Sequence, residues 1–200
     1  MSHAIIFIGR SGCGKGTQAD LLLDEMKKSA SKSILYIETG NKFREFIKKN
    51  TYTSQLAQNI NQVGGRQPDF LACAMWSEAL IENLVGFEHI VIDGSPRSLL
   101  EAHTLETALD FYGFTEKIIV HVDVSKEWSE KHLKARGRTD DSSPEKIASR
   151  LEWFETDVVP AIRYFKDNPK FSYIELHGEQ TIEMVHGELM EKMNGFLHAL

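Results

Sequence analysis

The sequence predicts an α/β fold, a five-stranded parallel sheet flanked by helices on both faces. Three observations carry that reading. Short continuous apolar runs recur at 4–8, 34–37, 89–92, 117–122 and 171–176, each the length of a strand buried on both sides. Stretches with helical spacing alternate with them, and such alternation implies parallel strands joined by crossovers. The length also fits, because 200 residues at 42% hydrophobic and 26% charged form one globular domain that needs no disulfide or metal to hold its core.

The elements follow in order. Residues 4–8 run into Gly9, where a glycine-rich turn opens a helix over 17–28 with apolar Ala19, Leu22, Leu23 and Met26 at helical intervals. After the strand at 34–37 come about fifty residues, 39–88, more than one crossover helix requires, so an inserted helical lobe with a helix at 70–84 is expected. The strands at 89–92 and 117–122 lead into helices at 99–112 and 126–135. A short, polar, arginine-rich stretch at 135–143 precedes a long helix at 144–166, in which Pro160 predicts a kink or break. The strand at 171–176 and a helix at 182–197 complete the pattern. The expected partition is a core of 1–38, 89–134 and 144–200, an insertion at 39–88 and a short mobile segment at 135–143. In sheets of this kind ligands bind beyond the carboxyl ends of the strands, where Gly9, Asp93, Gly94 and Asp123 all fall.

Composition excludes several classes. A formal net charge of −6 argues against a general nucleic-acid binder. Cys13 and Cys73 form no CxxC pair, and the eight histidines lack metal-ligand spacing. The N-terminus lacks the apolar core of a signal peptide, and no run of about 18 apolar residues occurs. A monomeric, cytoplasmic protein without membrane contact is expected. Trp76, Trp128, Trp153 and Phe154 fall at helical positions and are expected to pack in the core.

The segment from Gly9 to Thr17, GRSGCGKGT, follows a strand and opens a helix. Glycines let several backbone N–H groups turn toward one anion, the helix N-terminus adds partial positive charge, and Lys15 supplies a full one. This is a phosphate-binding P-loop. Gly16 stands where the generic pattern has Ser or Thr, which weakens a reading as a GTPase or motor ATPase.

At this point the chain resembles the adenylate kinase and nucleoside-monophosphate kinase family. Gly12-Cys13-Gly14-Lys15-Gly16-Thr17-Gln18 is similar to GxGKGTQ, and Glu38-Thr39-Gly40-Asn41-Lys42-Phe43-Arg44 to (S/T)TGDxxR. The stretch 64–69 sits where GKxVPD falls, Asp93-Gly94-Ser95-Pro96-Arg97 matches DGFPR except at one residue, and Arg136-Gly137-Arg138-Thr139-Asp140-Asp141 with Arg150-Leu151 resembles RxDD…RL. The resemblance implies a P-loop NTPase fold and Mg-dependent transfer of a phosphoryl group from ATP to AMP or another nucleoside monophosphate. It makes 39–88 the acceptor-binding insertion and 135–143 a short lid.

Transfer of this kind is mostly alignment and charge stabilisation, which calls for convergent cations. The resemblance assigns Lys15, Arg97, Arg136, Arg138 and Arg150 to the transfer itself. Gly12, Cys13, Gly14, Gly16, Thr17 and His132 would hold ATP. Thr39, Gly40, Arg44, Gln67, Gly94, Arg97 and Glu101 would hold the acceptor. Asp93 would orient Mg²⁺ through its waters, or cap a helix; Asp140 and Asp141 would orient lid arginines or cap the next helix.

Three positions depart from the family pattern. Ser95 replaces an aromatic residue. Glu101 replaces the glutamine that reads adenine, and an ionised glutamate only accepts hydrogen bonds, from guanine N1–H and N2–H₂ or from one exocyclic amine. His132 replaces an arginine that stacks on the donor base. Glu101 therefore points to an altered acceptor, unless it is an exposed helix residue with the base read elsewhere. A non-catalytic nucleotide sensor is the alternative from another class, disfavoured because every transfer-site cation is retained.

Overall fold

The computed structural model describes residues 2–29, 32–138 and 141–197. Five parallel strands, β1 (His3–Ile8), β2 (Ile34–Glu38), β3 (His89–Asp93), β4 (Glu116–Asp123) and β5 (Ser172–His177), form one sheet in the order β2-β3-β1-β4-β5. The chain leaves β1 for one edge, returns to β3, then crosses to the other side. This reversal beside β1 opens a crevice at the carboxyl ends of the strands. Register brings Phe7 and Glu38 each beside Asp93 at that end.

Side-chain alternation on β1 divides the core in two. Ala4, Ile6 and Ile8 face one way, against α4 (Asp69–Asn83), α5 (Leu99–Phe111) and α8 (Val159–Asp167) through Trp76, Leu80, Leu105, Leu109 and Phe165. Ile5 and Phe7 face the other way, against α1 (Lys15–Ser29) and α9 (Ile182–Leu197) through Leu22, Met26, Val185 and Leu189. Each fully buried Ile or Phe of this strand contributes about 1.5–3 kcal/mol relative to exposure.

Between β2 and β3 the chain forms α2 (Thr39–Phe46), α3 (Tyr52–Gln62) and α4. The helices α6 (Lys126–Ala135) and α7 (Pro144–Trp153) are tied by a small cluster of Leu133, Ile147 and Leu151. Hydroxyl caps start several helices: Ser98, Ser125 and Ser143 accept from the N–H groups of Glu101, Trp128 and Lys146.

One expectation about elements needs correction, and the break expected at Pro160 is present. The helix after the glycine loop begins at Lys15, not at residue 17, so Lys15, Gly16 and Thr17 form its first turn. The long helix at 144–166 is three pieces, α7, a π turn at Phe154–Val158 and α8. Pro160 is the reason, since it has no N–H and its ring crowds the preceding turn. The widened turn absorbs the break, with Val159 N–H donating to Phe154 O, five residues back.

Candidate active site

The cleft at the carboxyl ends of the strands measures about 570 Å³. Its floor is the glycine loop. Gly9, Gly12 and Gly14 have φ of 149°, 87° and 92°, conformations that side chains rarely adopt, and a Cβ on Gly9 would lie 2.6 Å from the Val122 carbonyl oxygen. Ser129 Oγ donates to Ser11 O and pins the loop to α6. Lys15 Nζ donates to Arg10 O at 3.1 Å, folded over its own loop.

Six cationic side chains line the cleft, Lys15, Arg44, Arg97, Arg136, Arg138 and Arg150, against the three carboxylates of Asp20, Glu38 and Asp93. The chain is acidic as a whole, so its positive charge is concentrated where anions would bind. Arg97 is held by its Nε donating to Gly94 O at 2.7 Å, with the guanidinium 5.7 Å from the Trp153 ring centre. Asp141, fully buried at its side chain, holds two arginines: Arg136 Nε donates to Oδ2, and Arg150 Nη1 lies 3.3 Å from Oδ1. Ser143 supplies the cap of α7, so Asp141 serves the arginines. Thr139 and Asp140 lie outside the described residues. Arg138 is exposed at the cleft.

Asp93 ends β3 with 7% exposure, and its Oδ1 has no hydrogen-bond partner. Burial pushes its carboxyl up, opposed by Lys15 and Arg97. It caps no helix, since α5 starts from Ser98. A Cβ on Gly16 would sit 3.2 Å from Asp93 Oδ2, so a side chain there would crowd the one carboxylate on the loop's doorstep. The peptide Ser95–Pro96 is cis.

Gly12, Gly14, Gly16, Thr17, His132, Gly40, Gln67 and Gly94 also line the cleft. His132 stacks on Trp128 at 4.4 Å, and its Nδ1 meets the Trp128 carbonyl at 2.8 Å. Gln67 Nε2 donates to Ala57 O, leaving its buried Oε1 without a partner.

Five further residues named from the sequence are placed as follows. The Cys13 thiol points into the core beneath the loop, where burial pushes its pKa up, so only its backbone is near the cleft. Thr39 is buried and absent from the lining, as is the strand-end residue Asp123, which is exposed elsewhere. Glu101 is neither exposed nor in the lining: it sits in the first turn of α5 with both carboxylate oxygens lacking hydrogen bonds and Arg66 Nη1 3.6 Å away. Burial pushes its carboxyl up, opposed by Arg97 and Arg66. Trp153, expected in the core, packs against it and also lines the cleft.

Asp20, Tyr36, Glu38 and Trp153 join the site without having been singled out. Signals for three existed. Trp153 is three residues after Arg150 and shares its helix face. Tyr36 and Glu38 are two apart at the end of β2 and share a sheet face.

The chain's comparisons agree with this geometry. The family model for adenylate kinase matches residues 7–170. An adenylate kinase of Prochlorococcus marinus is 30% identical over 96% of this chain and 100% of its own length. Adenylate kinase 1 of a Nostoc species is 33% identical over 92% of this chain and 95% of its own. The adenylate kinase of Oenococcus oeni is 27% identical over 91% and 94%. A glycine loop ending in Lys15, a ring of arginines and collinear similarity over nearly the whole length place this chain in the adenylate kinase family, as a phosphotransferase of the kinase type.

Proposed function

We propose that the protein is a nucleoside-monophosphate kinase, transferring the γ-phosphoryl group of ATP reversibly to a monophosphate, with AMP the first acceptor to test. The observation that carries this is the convergence of six cations on one cleft above a P-loop, two of them clamped by a single buried aspartate. That many positive groups exceed what nucleotide binding alone needs and suit the charge spread over a transferring phosphoryl group. In this reading the loop from Gly12 to Thr17 and His132 hold ATP. Gly40, Arg44, Gln67, Gly94 and Arg97 hold the acceptor. The insertion 39–88 and the lid 135–143 close over both and exclude water.

The residues fit a divalent cation at Asp93, which lines the cleft with its Oδ2 toward Gly16 of the loop and its buried Oδ1 without a partner. Mg²⁺, when bound with ATP, supplies charge neutralisation between the phosphate groups. Lys15 leaves the Arg10 carbonyl to meet the β- and γ-phosphates. Arg97 and Arg44 fix the acceptor phosphate in line, and Arg136, Arg138 and Arg150 stabilise the charge developing between them.

A different or relaxed acceptor is the second reading, favoured by Glu101, whose buried oxygens make no hydrogen bond, and by the buried Ser95 Oγ, which makes none either. One experiment separates the readings: AMP, GMP, CMP, UMP and the deoxynucleotides are offered with Mg-ATP to the protein and to Glu101→Gln. High AMP selectivity that is the same in both proteins removes the second reading. Binding of ATP without ADP formation from any monophosphate would leave only a nucleotide sensor.

A further inference from the structure

Glu38 closes β2 and Asp93 closes β3, and the two are Cα partners across the parallel ladder. Their side chains leave the same face of the sheet at the cleft, and both line it. They are nevertheless engaged differently. Asp93 is 7% exposed with Oδ1 unpartnered, whereas Glu38 Oε1 lies 2.6 Å from Arg44 Nη2. The space above Gly40 shows how tightly these charges converge. A Cβ there would be 3.3 Å from Arg44 Nη1, 3.9 Å from Arg97 Nη2 and 4.0 Å from Glu38 Oε1. A carboxylate of the chain and the ends of two arginines thus converge within 4.0 Å of one point at Gly40.

We propose that Glu38 is a switching carboxylate: in the empty protein it is the counter-ion of Arg44, and once an acceptor phosphate takes Arg44 it joins Asp93 in holding a divalent cation. The proposal rests on the phosphotransferase reading above and adds a ligand and an order of events to it. Both partners of the Glu38–Arg44 pair are 33% exposed, so water screens it and it is weak enough to displace. A dianionic phosphate offers the same guanidinium a stronger, two-pronged bond. The freed Glu38 then stands beside Asp93 and shares the cleft lining with Asp20, so like charges face one another there. A divalent ion relieves that repulsion. Among the described residues no three His, Cys, Asp or Glu side chains are placed to hold a metal alone, so the ion must share its ligands with phosphates and water, as magnesium usually does. The acceptor and the metal are then coupled, each tightening the other.

The test uses the full chain and its Glu38→Gln variant, with AMP as acceptor, Mn²⁺ as metal and β,γ-imido-ATP as unreactive donor. Calorimetry without metal is expected to show AMP binding tightened about 5-fold or more in the variant, because the internal competitor is gone. Electron paramagnetic resonance with donor and AMP present is expected to show Mn²⁺ bound at least about tenfold more weakly. With donor alone, both proteins should bind Mn²⁺ equally, since Arg44 still detains Glu38. A structural role for Glu38 would not move the two affinities in opposite directions. Weaker AMP binding without metal, or unchanged Mn²⁺ binding in the ternary complex, overturns the proposal. Should Glu38→Gln fail to fold by circular dichroism, Glu38→Asp gives the same readings at reduced size, and no change in either sinks the idea equally. If the wild-type protein binds neither AMP nor donor, the phosphotransferase reading itself has failed.

Discussion

Arg10 spans from the phosphate loop to the π turn, with its Nη2 2.5 Å from Glu155 Oε1 and its guanidinium 4.2 Å from the centre of the Phe154 ring. Its Nε also donates to Val124 O at 3.1 Å. One side chain therefore fixes the loop against β4's end and against the break that Pro160 imposes. The Glu155 carboxylate is 52% exposed, so the ion pair alone contributes little, under about 1 kcal/mol. Arg10→Ala strips the carbonyl of its donor and the ring of its cation as well, and should cost about 1–3 kcal/mol. Urea unfolding of both single variants checks this. Equal losses for Arg10→Ala and Glu155→Ala would show that the ion pair carries the clamp.

A buried charge is expected to dominate the response near α5. Arg66 Nη1 lies 2.6 Å from Asp69 Oδ1 and 3.6 Å from Glu101 Oε1, and its Nε is 3.1 Å from Asp157 Oδ2. Removing the guanidinium takes away one of the two cations, with Arg97, that oppose the burial of Glu101, and strips Asp69 and Asp157 of its bonds, so Arg66→Ala should destabilise by about 1–3 kcal/mol. Glu101→Gln, which removes a charge whose oxygens make no hydrogen bond, should be neutral or stabilising. Thermal melts of the two variants should shift in these different ways.

Stability should fall on mild acidification because of a histidine pair at the far end of the sheet. His3 and His89 stack at 5.1 Å, and His3 N–H donates to His89 Nδ1. Burial lowers the His89 pKa to about 4, helped by His3 and Lys32, and burial also lowers His3 against the pull of Glu116. Unfolded histidine titrates near about 6.5, so between these values the unfolded chain binds the extra proton. Stability is then fully present above about pH 6.5 and is lost as pH falls toward 4, at up to about 1.4 kcal/mol per pH unit for His89. Chemical unfolding at several pH values checks the slope, and His89→Gln should flatten it.

Trp153 should report ligand binding. It lines the cleft beneath Arg97, whereas Trp76 is 1% exposed inside the core and Trp128 stacks on His132. Adding nucleotide should change the emission of the protein, and Trp153→Phe should remove most of that change. A full response retained in the variant would place the signal at Trp128.

Legibility from sequence followed locality. The loop from Gly9 to Thr17 needs only backbone conformations and a following helix, and both are written in consecutive residues. The five strands were legible because burial on both faces leaves unbroken apolar runs. Glu38 and Trp153 were not assigned to the site, although Trp153 follows Arg150 on one face of α7; which strand end and which helix face meet the cleft depends on strand register and helix packing. Burial of Glu101 was equally hidden: its neighbour Arg66 lies thirty-five positions away in the chain, and a helix position says nothing about which face a separate segment covers. The side chain of Cys13 lies in the core, as an isolated cysteine usually does.

Gly64 has φ of 70°, and a Cβ on it would lie 2.7 Å from both the Cα and the carbonyl oxygen of Lys146, while Trp153 Nε1 donates to the Gly64 carbonyl at 3.2 Å. The loop after α3 and the helix α7, which carries Arg150 and Trp153 to the cleft, thus meet main chain to main chain. A methyl group at 64 would be a wedge between two walls, pressing on the main chain of Lys146. How far the walls approach is therefore adjustable in this molecule by the size of one side chain.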